Sequence, residues 1–140
     1  MQPEGPIYIA VVDDDESVRR SYGRWLRAAG FLPVAYRSAE AFLDDRRHPE
    51  FQCLVLDIRL PGMSGLELGR RLAAVNDRTP IIYLTAHDEP AVRSEAQASG
   101  CAAFFSKTDE GARVLDAIRL VAGPHAPEGE PESPPPNGPV

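Results

Sequence analysis

Residues 52–75 read QCLVLDIRLPGMSGLELGRRLAAV. The first six, QCLVLD, form an apolar run that ends in an acid and shows no strict polar alternation. Near-continuous hydrophobicity of this kind predicts a strand covered on both faces. The later half opens Ser64-Gly-Leu-Glu67, a capping-box pattern, and then stacks Leu68, Leu72 and Val75 on one helical face. A short buried strand leading into an amphipathic helix is the repeating unit of a parallel α/β sheet.

The same alternation extends in both directions. IYIAVV (7–12), LPVAY (32–36), PIIYLT (80–85) and CAAFF (101–105) are further apolar runs with strand character. Between them, residues 16–29 place Val18, Tyr22, Trp25, Leu26 and Ala29 at helical spacing, with Asp15 as cap and Gly30 as a stop. Ser38 starts a short helix carrying Phe42 and Leu43. Residues 88–99 form a weaker helix, with Asp88 as cap, Pro90 in its first turn and Gly100 at its end. A last helix over about 109–121 presents Val114, Leu115 and Ile118. Five strands alternating with five helices predict an α/β, flavodoxin-like, doubly wound parallel sheet in the order 2-1-3-4-5, with helices on both faces.

Composition changes sharply near Ala122. Residues 123–140, GPHAPEGEPESPPPNGPV, hold seven prolines and three acids without a Lys or Arg. Such a segment buries too little to offset its ordering entropy, so a domain over 1–122 and a disordered, partly polyproline II tail over 123–140 are expected. The chain is 43% hydrophobic and 26% charged, with a net charge of −6, an ordinary balance for a globular domain. No apolar stretch reaches membrane-spanning length, and the N-terminus lacks the basic start of a signal peptide. A cytoplasmic location is the expectation. The scattered arginines and acidic pI of about 5.0 give no electrostatic basis for binding nucleic acid. Cys53 and Cys101 are too few for a disulfide framework and are expected as buried or half-buried thiols. His48 and His125 are expected at the surface.

In a doubly wound sheet, ligands sit beyond the carboxyl ends of the strands. Strand 1 leads into Asp13-Asp14-Asp15, strand 3 ends in Asp57, strand 4 ends in Thr85, and Lys107 follows strand 5. Two carboxylates about 4 Å apart repel by roughly 4 kcal/mol at an effective dielectric near 20. A hard divalent cation removes that cost, and an oxygen-only ligand set favours Mg²⁺. With a metal and a lysine beside it, Asp57 is suited to attack an activated phosphoryl group and form an acyl phosphate.

VVDDDESVRR, LVLDIRLPGMSGLEL, IIYLTAHD and FFSK resemble, in order, the motifs of the response-regulator receiver domain, over about residues 7–121. With Ser38-Ala39-Glu40-Ala41-Phe42 the chain looks most similar to FixJ-type receivers. The resemblance implies Asp13 and Asp14 as the acidic pair, with Asp14 the more direct Mg²⁺ ligand. It implies Asp57 as phosphoacceptor and metal ligand, and the backbone carbonyl of Arg59 as a further metal contact. Thr85 becomes the switch hydroxyl, Lys107 the site lysine and Phe104 the rotating aromatic. Arg59 and His87 would tune the lifetime of the phosphoryl group. Thr108 departs from the proline usual after the lysine, so the following loop is expected to take its own path.

The phosphodonor implied is a sensor histidine kinase or a histidine phosphotransfer protein. Without a second periodic region for an output domain, the chain reads as a stand-alone receiver acting on another protein, and not as an enzyme with separate turnover. A homodimer through the face of the fourth helix, fifth strand and fifth helix stays open. Two other readings are weighed. An aspartate-nucleophile phosphatase needs a second aspartate two residues after the first, where this chain has Arg59. A non-phosphorylated pseudo-receiver, acting only as an interaction module, is opposed by the intact acids and lysine. Flavodoxin-like cofactor binding fails because strand 1 leads into acids where a phosphate would be repelled.

Overall fold

The elements form where burial and capping agree. A computed structural model describes residues 5–86, 89–109 and 111–122. In chain order they are β1 (Tyr8–Val12), α1 (Glu16–Ala28), β2 (Leu32–Tyr36), α2 (Ala39–Asp44), β3 (Phe51–Asp57), α3 (Gly65–Ala74), β4 (Ile81–Thr85), α4 (Pro90–Ala98), β5 (Ala103–Ser106) and α5 (Gly111–Ala122). The strands make one parallel sheet in the order β2-β1-β3-β4-β5. The expected α/β order and topology are both found.

Alternate residues of each strand point to opposite faces, and both faces are buried. Ala10, Val12, Leu54, Leu56 and Tyr83 pack under Phe42 of α2, Leu68 and Leu72 of α3, and Ala96 of α4. Ile9, Val11, Cys53, Val55, Ile82 and Leu84 pack under Tyr22 and Leu26 of α1 and Val114 and Ile118 of α5. This two-sided cover explains why QCLVLD lacks polar alternation. Cys53 is buried and Cys101 half-buried, as expected, and both are free thiols.

Three helices begin on side-chain caps read from the sequence. Asp15 accepts from the Ser17 amide at 2.8 Å, Ser38 from Ala41 at 2.9 Å, and Ser64 from Glu67 at 3.1 Å. The carboxylate of Glu67 pairs with Arg70 and Arg71. Two residues read at helical spacing lie outside the core. Val75 is 71% exposed, because α3 ends at Ala74 and Asn76 turns into a left-handed φ of 62°. Leu66 takes its place on the buried face, beside Leu68 and Leu72. Trp25, read at helical spacing with Tyr22 and Leu26, is 36% exposed and meets Tyr22 edge-on. α4 starts at Pro90 with Glu89 as its N-cap residue, and that side chain makes no capping bond. Asp88, His125 and the tail over 123–140 lie outside the described residues. Among the described residues no helix is long and apolar enough to cross a membrane.

The end of β3 meets the start of α3 closely. The Gly65 amide donates to the Ile58 carbonyl at 2.9 Å, and a Cβ on Gly65 would fall 2.2 Å from the Asp57 carbonyl oxygen. Backbone cannot move aside as a side chain can. Gly65→Ala should therefore cost about 1–3 kcal/mol through overpacking. Gly23→Ala, whose Cβ would meet only the end of Arg27 at 3.4 Å, should be neutral or gain up to about 1 kcal/mol. Urea unfolding of both variants tests the contact, and a Gly65→Ala midpoint equal to wild type would show that the approach is looser.

Candidate functional site

Four strand ends deliver polar groups to one rim. Asp13 follows β1, and its amide donates to the Tyr36 carbonyl at 3.0 Å, carrying the β1–β2 ladder one residue beyond the strand. Its Oδ1 accepts from the Asp15 amide at 2.8 Å, and its carbonyl accepts from the Arg19 guanidinium at 2.9 Å. Asp57 closes β3, in register with Leu84. The Ile58 amide then donates to the Leu84 carbonyl at 3.0 Å, which fixes the backbone on both sides of the carboxylate. Thr85 closes β4 and is fully buried. Its carbonyl accepts the Lys107 amide at 2.7 Å, so the threonine also anchors the lysine.

Three carboxylates converge here. One oxygen each from Asp13, Asp14 and Asp57 lies within 4.8 Å of the others. Asp13 and Asp57 are buried, at 1% and 2% exposure, while Asp14 faces solvent. Lys107 Nζ reaches Asp57 Oδ2 at 3.0 Å and Asp13 Oδ2 at 2.9 Å. The other oxygen of Asp57, Oδ1, accepts from the Arg59 amide at 3.1 Å. Sequence reasoning placed Asp13, Asp14, Asp57, Thr85 and Lys107 at this edge, and the structure brings them together.

The electrostatics are out of balance. Each carboxylate pair at such separations repels by about 3–4 kcal/mol at an effective dielectric near 20. One ammonium against three carboxylates leaves two formal negative charges uncompensated within the cluster. Burial, and then the neighbouring charge of Asp13, push Asp57 up to about 6 despite the bonds from Lys107 and the Arg59 amide. Burial pulls Lys107 down, but its pairing with the carboxylates of Asp13 and Asp57 outweighs that and leaves it above its ordinary value.

One atom shows what the cluster lacks. Asp13 Oδ2 is buried and has no hydrogen-bond partner. The Lys107 ammonium is near enough for an ion pair but does not lie along a hydrogen-bonding direction. That ammonium is shared with Asp57, so one positive charge serves two buried carboxylates and leaves them in excess. The donor set is carboxylate only, which suits a hard divalent cation. The residues present therefore fit Mg²⁺, and the two excess negative charges match its charge.

The loop after β5 differs from the family habit in a way the bonds explain. The Thr108 amide donates to Ser106 Oγ at 3.2 Å, and the two hydroxyls lie 2.9 Å apart. The Ser106 amide donates to Asp109 Oδ2 at 2.8 Å. A proline at 108 could not make the first of these bonds. This Ser-Thr-Asp turn takes over the shaping of the loop and still aims Lys107 at both buried acids. Phe104 is half-buried on β5, in register with Tyr83, with the Arg93 guanidinium 4.5 Å above its ring. The Arg59 side chain reaches away from the acids to pair with Glu89 at the head of α4. His87 lies outside the described residues. Sequence reading did not single out Glu89, which pairs with Arg59 thirty residues away, or Arg19 and Asp109, which brace the chain beside Asp13 and Ser106.

The chain belongs to the response regulator receiver domain family, whose model matches residues 9–119. It is 39% identical over 110 residues to Nodulation protein W of Bradyrhizobium diazoefficiens, covering 79% of this chain and 48% of the relative. It is 36% identical over 124 residues to the transcriptional regulatory protein FixJ of Azorhizobium caulinodans, covering 89% of this chain and 59% of that one. The crystal structure of FixJ-N superposes with a TM-score of 0.75 at 34% identity, covering 84% of this chain and 94% of FixJ-N. The FixJ-type resemblance is thus found in both sequence and fold. This chain spans about half the length of the curated relatives it matches.

The raised Asp57 value gives a signed pH prediction. A carboxylate whose folded pKa (about 6) exceeds its ordinary 3.8 holds its proton more tightly when folded. Ionising it therefore penalises the fold fully above about pH 6, and the penalty disappears below about pH 4. Without divalent ions, Asp57→Asn should be about 1–3 kcal/mol more stable than wild type at pH 7.5. That gain should vanish by pH 4 in chemical denaturation. A variant less stable than wild type at pH 7.5 would mean that Lys107 fully compensates the acid.

Proposed function

We propose that this chain is a Mg²⁺-dependent phosphoacceptor switch in two-component signalling, with Asp57 as the nucleophile. The observation that carries this reading is the buried Asp13–Asp57 pair, which shares a single lysine through an ion pair from each acid and lies beside the carboxylate of Asp14. Asp13, Asp14 and Asp57 would hold the ion through carboxylate oxygens, and Arg59 through its backbone carbonyl. When bound, Mg²⁺ supplies charge neutralisation for the acids and for the incoming phosphoryl oxygens.

The chain's own groups divide the remaining work. An Asp57 oxygen attacks the phosphorus of a phosphohistidine, the P–N bond breaks, and the imidazole leaves with the bonding pair. The product is an acyl phosphate on Asp57. Lys107, already within 3.0 Å of that carboxylate, places a positive charge against a phosphoryl oxygen in a loose, charge-rich transition state. Positioning does most of this, and the strand ladders beside Asp57 and Thr85 hold the groups in place.

The donor would be a sensor histidine kinase or a histidine phosphotransfer protein, meeting the domain in the cytoplasm. Phosphorylation adds charge beside Thr85, whose hydroxyl turns towards it, and Phe104 packs inward. The face of α4 and β5 then shifts its population for a protein partner. A partner reads that shift only through a few kcal/mol of preference for one state. Arg59, two residues after the acceptor in sequence, and His87, two after Thr85, would set how readily water reaches the acyl phosphate.

Incubation with acetyl phosphate and Mg²⁺, followed by intact mass, tests the reading. Wild type should gain one phosphoryl group, and Asp57→Asn or an EDTA-treated sample none. A wild-type chain that stays unmodified while folded would instead support an interaction module without phosphorylation.

A further inference from the structure

The loop joining β3 to α3 is tied down from an unexpected side. Glu40 lies in the first turn of α2, and its Oε2 accepts a hydrogen bond from the Met63 amide at 2.8 Å, across 23 residues of chain. Gly62, just before, has a left-handed φ of 76°, and a Cβ there would fall 2.6 Å from the same Glu40 oxygen. The turn thus accommodates the carboxylate twice, by its conformation and by its missing side chain. The Met63 amide bond is the main influence holding the Glu40 carboxyl below its ordinary value.

The loop so held runs from the acceptor to α3. At its start the Arg59 amide donates to Asp57 Oδ1 at 3.1 Å. At its end the Ser64 cap and the Gly65–Ile58 bond close it. Residues 60–63 lie between these ties, and among the described residues Glu40 is the group from another element that bonds the loop backbone there, at Met63.

We infer that Glu40 is a positioning residue for the cation site, fixing through the Met63 amide the loop that presents the Arg59 backbone to the metal. This rests on the functional reading above, which makes that backbone a metal contact. Groups that orient ligands from outside commonly change metal affinity by about 10–100-fold when lost. Glu40 is solvent-exposed and acts through a loop, so the lower end of that range applies.

Three measurements on the same samples test it: Mg²⁺ affinity by calorimetry, hydrogen exchange of the Met63 amide, and the urea midpoint. Glu40→Ala should speed Met63 exchange and weaken Mg²⁺ binding by about tenfold, with a midpoint near wild type. Glu40→Gln keeps an acceptor oxygen and should recover most of the affinity. Unchanged affinity in Glu40→Ala overturns the inference and leaves only a local staple. If Glu40→Gln is as weak as Glu40→Ala, the effect is one of charge and the positioning role fails. If wild type takes up no Mg²⁺, the functional reading fails, and the inference fails with it whatever Met63 exchange shows.

Discussion

Two buried carboxylates facing one ammonium form the constraint around which this domain is built. Asp13 and Asp57 come from strands that are neighbours in space but 44 residues apart in sequence. Each is held by ladder bonds that continue beyond its strand. Those bonds leave the acids no freedom to separate and relieve their repulsion. Lys107 is committed to both, tied in turn to the Thr85 carbonyl. The fold thus carries a standing electrostatic cost at one rim. A site arranged for stability alone would not retain it, and the divalent cation proposed above would offset it.

The sheet supplies the rigidity that this arrangement needs. Its strands are buried on both faces, α1 and α5 on one side and α2, α3 and α4 on the other. Reactive groups are carried on strand ends and the residues just after them, where a packed layer sets their position. The loops do the adjusting. The turn at Ser106–Asp109 replaces a proline with hydroxyl and carboxylate bonds. Glu40 and Glu89 reach into neighbouring loops from α2 and the head of α4.

Most of the fold was legible because its signals are local. Apolar runs without alternation mark two-sided strands, and Asp15, Ser38 and Ser64 announce helix starts that the hydrogen bonds bear out. The site acids were legible because the topology rule sends strand ends to one edge. What escaped was non-local. Val75 continues the helical spacing but lies past the point where Asn76 turns the chain. Trp25 has helical spacing too, yet its ring remains partly at the surface. Glu40 reads as an ordinary first-turn acid, since its partner lies 23 residues away.

The most direct test is thermodynamic linkage between folding and Mg²⁺. The unfolding free energy of wild type, measured by urea titration, should rise with MgCl₂ at constant ionic strength, by about 1.4 kcal/mol for each tenfold increase above the dissociation constant. Asp13→Asn should flatten that response. Equal responses to MgCl₂ and to NaCl, or an unaltered response in Asp13→Asn, would contradict the claim that these acids are gathered for a divalent ion.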